Sequence, residues 1–313
     1  MHAVTIVNGS LEWLEHPLPK PGHGEVLVAV RAAGLNGADR LQVAGLYPAP
    51  AGSPQDIPGM EIAGEVAALG AGATRFAIGE RVMAIVGGGG QAEQCVVHER
   101  HLLPVPEDMP WEEAGGFAEV FTTAFDALFT QCDLQVGESV CIHGAAGGVG
   151  IAGVQLAMAA GARVVATVRD PDRRIEVATL SGATAVDPQG FGDHGPFDVV
   201  LELVGAPNMA ANLAALAIGG RVSVIGVGAG AKSEVNLLEL MGKRARIHGS
   251  TLRARSLEEK ATVARRIEHH VLPLLAAGTV RVPVHAAVPM AQAQGAYELF
   301  ASGGKLGKIV LTT

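Results

Sequence analysis

The sequence predicts an α/β protein that joins two kinds of architecture, and three observations point that way. The first 110 residues carry short strand patterns cut by turns, while the middle of the chain alternates strand and helix text in units that suit a parallel sheet. The composition is apolar and rich in glycine: 49% hydrophobic, 17% charged, and 42 glycines among 313 residues. The usual glycine share is about 7%. Such Ala-Gly-Val-rich text suits close packing of helix on sheet, whereas disorder needs low hydrophobicity and high charge. A chain of this length can bury sizeable cores and is expected to form about two domains.

Along the chain, Val4–Val7, Glu25–Ala33, Glu61–Leu69 and Arg81–Ile85 have β-branched or alternating patterns, with Gly22, Gly24, Gly70, Gly72 and Gly79 as punctuation. Pro17, Pro19 and Pro21 make an early extended stretch that excludes a central strand. Together these predict a mostly β, barrel-like unit. The character changes near Pro110. Trp111–Leu128 has helical composition, Ser139–His143 is a short buried strand, Gly148–Ala160 a small-residue helix and Arg163–Val168 the next strand. Asp170 is placed to cap the following helix, with Pro171 at the first position, where a missing N–H costs nothing. Phe197–Leu203 and Arg221–Val227 are expected strands flanking a helix over Ala210–Ala217. A charged helical segment, Ser256–Leu275, leads to a strand at Val280–His285, a helix near Ala291–Ala301 and a terminal strand at Lys308–Leu311. This closing text is expected to return and complete the first unit. The Gly87–Gly90 run reads as a loop.

Composition excludes several function classes. Lys and Arg total 23 against 31 acids, a formal charge of −8, which argues against broad nucleic-acid binding. No apolar run approaches the ~18 residues that cross a bilayer. The N-terminal text goes straight into a strand with no basic and apolar leader, so a cytoplasmic location without membrane insertion is expected. Cys95, Cys132 and Cys141 form neither a zinc cluster nor a CxxC pair. Cys95 and Cys141 lie in apolar strand text and are expected to be buried.

The strongest local motif is VCIHGAAGGVGIAGVQLAMAAGARVVATV. Gly144, Gly147 and Gly150 make a G-x-x-G-x-x-G turn that also holds Ala146, Gly148 and Val149, directly between a strand and a helix. Without side chains the backbone can turn tightly and bring its N–H groups to a pyrophosphate, and the helix N-terminus adds partial positive charge. Gly150 and Ala152 are expected to let the helix lie close to the sheet. The spacing is not the commonest dinucleotide fingerprint; its strand–turn–helix–strand setting is what gives it weight over an ordinary packing turn. At the end of the next strand, where an NAD site usually has an acid, the chain reads Ala166-Thr167-Val168-Arg169, with Arg173 and Arg174 one turn on. A 2′-phosphate suits Arg169, and Arg173 beyond it, so NADPH is the expected cofactor. The plainer reading is a solvated helix start in which Asp170 and Asp172 neutralise the arginines.

The stretches AAGLNGADRLQVAGLYPAP, GMEIAGEV, LPVPEDMPWEEAG, AEVFTTAFDAL, HGAAGGVG, FDVVLELVG and GKLGKIVL, in this order, resemble the zinc-independent quinone oxidoreductases of the medium-chain dehydrogenase/reductase superfamily over essentially the whole chain. ARIHGSTLRARSLEEK is most similar to the branch that includes the p53-inducible quinone reductase. The resemblance implies a GroES-like catalytic domain over residues 1–115 and 280–313, and a Rossmann domain over 116–279 between them. It further implies a homodimer and NADPH-dependent reduction of a small quinone or conjugated carbonyl. Zinc relatives carry a cysteine, a histidine and a second cysteine in their site; the corresponding positions here are Asn36, Met60 and Glu119, and the structural-zinc lobe has no counterpart. That set is poor for Zn²⁺ on its own chemistry, because only one of the three is an ordinary zinc donor. No metal is expected.

The resemblance puts Asn36 by the nicotinamide end, against a plain turn role for the N-G pair. Tyr47, one of two tyrosines, is expected to cover the cofactor or a flat acceptor and offer its hydroxyl, or else to pack on its own loop. Thr123 is expected at the nicotinamide side, Gly226, Val227, Ser250 and Leu252 at later cofactor contacts, and Lys308 either at the cofactor or on a solvated strand. Gly37 stands where relatives often have arginine or serine, which leaves room beside Asn36. A quinone accepts hydride onto a conjugated oxygen, so hydrogen-bond donors suffice and water can deliver the last proton. Two other readings stay open: an enoyl-thioester or enone reductase, and a nucleotide-binding structural or regulatory protein with little turnover.

Overall fold

In a computed structural model, which describes residues 1–313, the chain opens with a hairpin. Strands β1 (His2–Val7) and β2 (Ser10–Glu15) pair antiparallel. Their turn is Asn8-Gly9, with φ of 50° and 82°, the left-handed pair that matches strand twist. Next come β3 (Glu25–Gly34), α1 (Gly37–Val43), β4 (Glu61–Leu69), β5 (Arg81–Ile85), β6 (Gln94–His98) and β7 (Leu103–Pro104). The helical text from Trp111 folds as three pieces: α2 (Trp111–Gly115), α3 (Ala118–Phe125) and a π-helical stretch, Asp126–Gln131. Alternation follows with β8 (Ser139–Ile142), α4 (Gly148–Ala159), β9 (Arg163–Thr167), α5 (Pro171–Ser181), β10 (Thr184–Val186) and β11 (Phe197–Glu202). Then come α6 (Met209–Ala215), β12 (Leu216–Val224), α7 (Leu237–Lys243), β13 (Arg246–Gly249), α8 (Leu257–His270) and α9 (Leu272–Ala276). The chain closes with β14 (Val284–Pro289), α10 (Ala293–Ser302) and β15 (Lys308–Thr312).

Strands β8 to β13 form one six-stranded parallel sheet in the order β10-β9-β8-β11-β12-β13. Numbered from β8, this is the order 3-2-1-4-5-6 of a Rossmann sheet, whose direction switches between β8 and β11. Both faces are covered. Ile142, Val164, Val177 and Leu201 pack under α4 and α5, while Phe191, Phe197, Met209 and Leu213 fill the other face. The strands therefore read as nearly continuous apolar runs. A seven-stranded sheet holds β3 to β7 together with β14 and β15, and β15 runs antiparallel to β3 with Val310 opposite Gly34. The fold class is thus α/β, a Rossmann sheet joined to a GroES-like, mostly β part. No helix is long and apolar enough to cross a membrane.

A third apolar cluster joins the two sheets. Phe117, the residue that opens α3, and Phe121 within it stack 4.6 Å apart and share a core with Ala152 and Leu156 of α4 and Ile267 of α8. Ala152 therefore faces α3. Gly150 lets the start of α4 lie against the backbone just after β8, where a Cβ would come within 2.6 Å of Ala145 Cα, and Gly153, rather than Ala152, lets the next turn approach Leu201, where a Cβ would come within 3.0 Å. Two strand expectations also move. The strand expected at Val280–His285 begins only at Val284, because Val280 and Val282 are drawn into the α3–α8 core instead. The strand expected at Arg221 begins at Leu216, where α6 has already ended. Cys95, Cys132 and Cys141 are all buried thiols.

Candidate active site

The glycine turn lies at the switch point. Gly144 has φ +63°, a conformation that favours glycine, and it faces Leu203 and Val204 at the end of β11. Its carbonyl accepts from the Gly147 N–H at 3.0 Å. Gly147 is the N-cap of α4 with no side-chain cap, so the first N–H groups of the helix, at Gly148, Val149 and Gly150, have no partner within it. The three motif glycines serve different needs. A Cβ at Gly147 would meet only the Gly144 carbonyl at 3.4 Å, leaving the turn open to a ligand, whereas one at Gly150 would run into that same carbonyl. Gly150 thus closes the turn on itself. Ala146 accepts from the Gly307 N–H at 2.9 Å, which ties the closing segment of the chain to the turn. Beneath it His143 is fully buried, with Nε2 2.7 Å from Asn212 Oδ1 and Nδ1 3.0 Å from Thr167 Oγ1. Burial holds its pKa below the ordinary value. This framework fits a dinucleotide pyrophosphate.

At the strand end, Asp170 is spent as the N-cap of α5, accepting from Asp172 and Arg173 N–H groups at 2.9 and 3.2 Å. It does not neutralise Arg169, whose exposed guanidinium makes no ion pair. Arg173 is committed otherwise: it pairs with Glu176 at 2.5 Å and donates to the Gly304 carbonyl at 2.9 Å. Arg174 lies 3.7 Å from Asp187. Val168 is 5% exposed and packs in the apolar cluster under α5. A carboxylate there would be driven into the core, which makes Arg169 the informative position. Gly226 lies against Leu203, with room for no side chain, and Val227 is exposed beside it.

A second polar centre lies where α1, β4, α3 and β15 meet. Lys308 is buried, not solvated. Its ammonium donates to Leu35 O at 2.8 Å and Asn36 Oδ1 at 2.7 Å, and pairs with Glu61 Oε1 at 2.7 Å. Its three protons are therefore used. Only its methylenes approach the dinucleotide turn, where a Cβ on Gly148 would meet Lys308 Cδ at 2.8 Å. Asn36 is buried too, and its amide donates to Glu61 Oε1 at 3.0 Å and Gly34 O at 3.2 Å. Asn36 also begins α1, its backbone N–H donating to Asp39 Oδ2 at 2.9 Å, which agrees with the turn reading of the N-G pair. Gly37 opens onto empty space. Glu61 Oε2 accepts from the Glu119 N–H at 2.9 Å, and Thr123 Oγ1 donates to Glu119 Oε1 at 3.1 Å. Burial pushes the Asp39 carboxyl up to about 6 against the pull of the Asn36 N–H, Lys308 and Arg253. Burial also pushes Glu119 up to about 7; Lys308 opposes this, and Glu61 adds to it.

Arg253, quoted in the sequence only within a family match, crosses between the two parts. It is 1% exposed, donates to Gly87 O at 2.7 Å and Tyr47 O at 3.2 Å, and also to Gln42 Oε1. Its guanidinium lies 5.2 Å from the centre of the Tyr47 ring, a cation–π distance. Tyr47 is half-buried, and its hydroxyl has no partner in the chain. Ser250 is committed to structure, donating to Asp126 Oδ2 at 2.8 Å while Arg255 clamps the same carboxylate. Leu252 lines a small cavity of about 30 Å³ with Ile85, His101 and Thr122. His101 is half-buried there with Nε2 3.1 Å from Leu257 O. Sequence reasoning also missed Asp39 and Glu61; a lone acid in the apolar text GMEIAG was the available signal.

Residues 22–130 match the family described as Alcohol dehydrogenase GroES-like domain, and residues 148–268 match Zinc-binding dehydrogenase. The quinone oxidoreductase of Rattus norvegicus is 30% identical over 306 residues, covering 94% of this chain and 91% of the relative. The acryloyl-coenzyme A reductase of Metallosphaera sedula is 29% identical over 324 residues, covering 94% of each. Among solved structures, the quinone oxidoreductase of Thermus thermophilus, described also in complex with NADPH, superposes with a TM-score of 0.87 at 32% identity over 100% of both chains. With the switch-point glycine turn, the Rossmann strand order and this full-length similarity, the chain belongs to the quinone oxidoreductase family of the medium-chain dehydrogenase/reductase superfamily.

Proposed function

We propose that the protein reduces quinones or related conjugated carbonyls with NADPH, without a metal. The observation that carries the reading is the placement of Lys308, whose stem lies on the glycine turn at Gly148 while its head holds Asn36 and Glu61. A dinucleotide on the turn and an acceptor beside Asn36 thus share one wall. When bound, the nicotinamide supplies the hydride. The helix N–H groups at Gly148 to Gly150 hold its pyrophosphate, and Arg169 holds the 2′-phosphate. Gly226, Val227, Thr123 and Leu252 line its path, and Tyr47 covers the acceptor. The zinc-relative positions do not suit a metal: Asn36 Oδ1 already receives an ammonium, Met60 offers a thioether, and the Glu119 carboxyl has an affinity for protons near neutrality. The NADPH complex of the Thermus thermophilus enzyme supports the cofactor.

The domain division at 115/116 and 279/280 and a cytoplasmic setting belong to this reading. So does a homodimer: β13 is an open sheet edge, and Leu238 and Met241 of the neighbouring α7 are 80% and 71% exposed. Light scattering tests it: twice the chain mass is expected, and the mass of a single chain overturns it. The kinship with an acryloyl-coenzyme A reductase favours one second reading, addition of the same hydride to a conjugated carbon–carbon double bond. The deciding experiment is a stopped-flow survey of NADPH oxidation against quinones, enones, enoyl thioesters, aldehydes and alcohols. Fastest turnover with quinones is expected; turnover confined to enoyl thioesters favours the second reading, and turnover confined to alcohols overturns both.

A further inference from the structure

We propose that Glu119 is the catalytic acid, donating a proton through its free carboxyl oxygen to the oxygen of the reduced acceptor. This rests on the functional reading above. The donors around the acceptor end are nearly all spent. Lys308 has used its three protons, the Asn36 amide donates to Glu61 and Gly34, and Thr123 donates to Glu119. That leaves the Tyr47 hydroxyl and Glu119. The Thr123 hydroxyl occupies Oε1, so a proton on the carboxyl resides on Oε2, which makes no hydrogen bond within the chain. Glu119 is only partly buried and stands one residue before Val120, whose side chain lies against Gly148 of the dinucleotide turn. The Glu119 N–H donates to Glu61 Oε2 while the Asn36 amide donates to Glu61 Oε1, so the acid stands beside the same carboxylate as Asn36, at the acceptor end of the site.

Burial pushes its carboxyl up to about 7; Lys308 from β15 and the Thr123 hydroxyl oppose this, and Glu61 from β4 and Asp39 from α1 add to it, with Lys308 itself paired to Glu61. A group titrating near 7 matches its task, because it can both give and regain a proton at neutral pH. The step balances simply. A bound dihydronicotinamide would supply the hydride, two electrons and a proton, and be oxidised to nicotinamide, leaving the reduced quinone with one oxygen anion. The Glu119 O–H bond then breaks as the product O–H bond forms, and the carboxylate takes its proton back from water.

The test uses the full chain, Glu119→Gln and Glu119→Asp. In the parent, kcat/KM for a quinone is expected to fall as pH rises through about 7, and Glu119→Gln to lose about 100-fold, the usual scale of general-acid help, together with that pH limb. Glu119→Asp should keep a displaced limb. A readout independent of turnover comes from infrared titration of the cofactor-free proteins: the parent should lose a protonated carboxyl band between pH 6 and 8, and Glu119→Gln should lack it. A parent that turns over quinone, with the same pH limb in Glu119→Gln, overturns this assignment alone. A parent with no quinone turnover overturns the functional reading and the assignment with it.

Discussion

Between Gly144 and Gly150, everything offered to a ligand is backbone, and seven consecutive residues suffice to make it. Around Lys308, everything is side chain, drawn from α1, β4, α3 and β15, with the Lys308–Asn36 contact spanning 272 residues of sequence. The glycine turn is open and uncharged, built to receive a charged ligand. The other centre is closed, built on the buried Lys308–Glu61 pair, while burial pushes the neighbouring Asp39 and Glu119 carboxyls toward their neutral forms. A site that must bind phosphate keeps its donors free, whereas one that must align two reactants benefits from side chains locked by their own partners.

If the closed centre depends on mutual pairing, breaking it should cost more than altering the open turn. Arg253→Met is the harshest test, since it strands the Gly87 and Tyr47 carbonyls and the Gln42 amide at about 1–3 kcal/mol each. Denaturant unfolding should show the loss, with the KM for quinone rising as the Tyr47 loop loosens. An unchanged unfolding midpoint would mean that Arg253 is a bystander. Within the turn, Gly150→Val must displace the Gly144 backbone and should destabilise the fold by about 1–3 kcal/mol. Gly147→Val should leave stability nearly intact and weaken NADPH binding instead. Calorimetry on the two variants sharpens the distinction, and equal effects on folding would erase it.

These contrasts explain what was legible in the sequence. The turn, the Asp170–Pro171 cap and the limits of β4 and β5 are local, so spacing and residue type announce them. Glu61, Lys308 and Arg253 acquire their roles only when distant segments meet, and text such as GKLGK carries no sign of whether its lysine is buried or solvated. Val280 and Val282 misled for a related reason: alternation reports burial, and here a helix core rather than a sheet neighbour does the burying. Kinship singles out Asn36, and Tyr47 stands out as one of two tyrosines, but nothing in the sequence announces the saturated Asn36 amide.

Smaller effects are expected from charges at the edges of each region. Arg169→Ala should reduce the NADPH-over-NADH ratio of kcat/KM by between about 10- and 150-fold, the scale of a charged hydrogen bond, measured at one ionic strength. An unchanged ratio returns Arg169 to a solvated helix start. Asp39 tests the closed centre by pH. Its folded pKa of about 6 lies above its ordinary 3.8, so the folded chain holds more proton between these values and its contribution to stability grows as pH falls through 6 toward 4. The difference between parent and Asp39→Asn in melting temperature should change in that window; a constant difference from pH 7 to 4 would show that the carboxyl is not perturbed.

The central claim is hydride transfer from NADPH to a quinone in a site that works without metal. Its most direct test is single-turnover reduction of a quinone by NADPH deuterated at nicotinamide C4, before and after exhaustive chelation, with elemental analysis of the same samples. The account predicts a primary isotope effect, no stoichiometric metal, and the same rate constant in both samples. A rate that collapses on chelation and returns with one equivalent of zinc would contradict it.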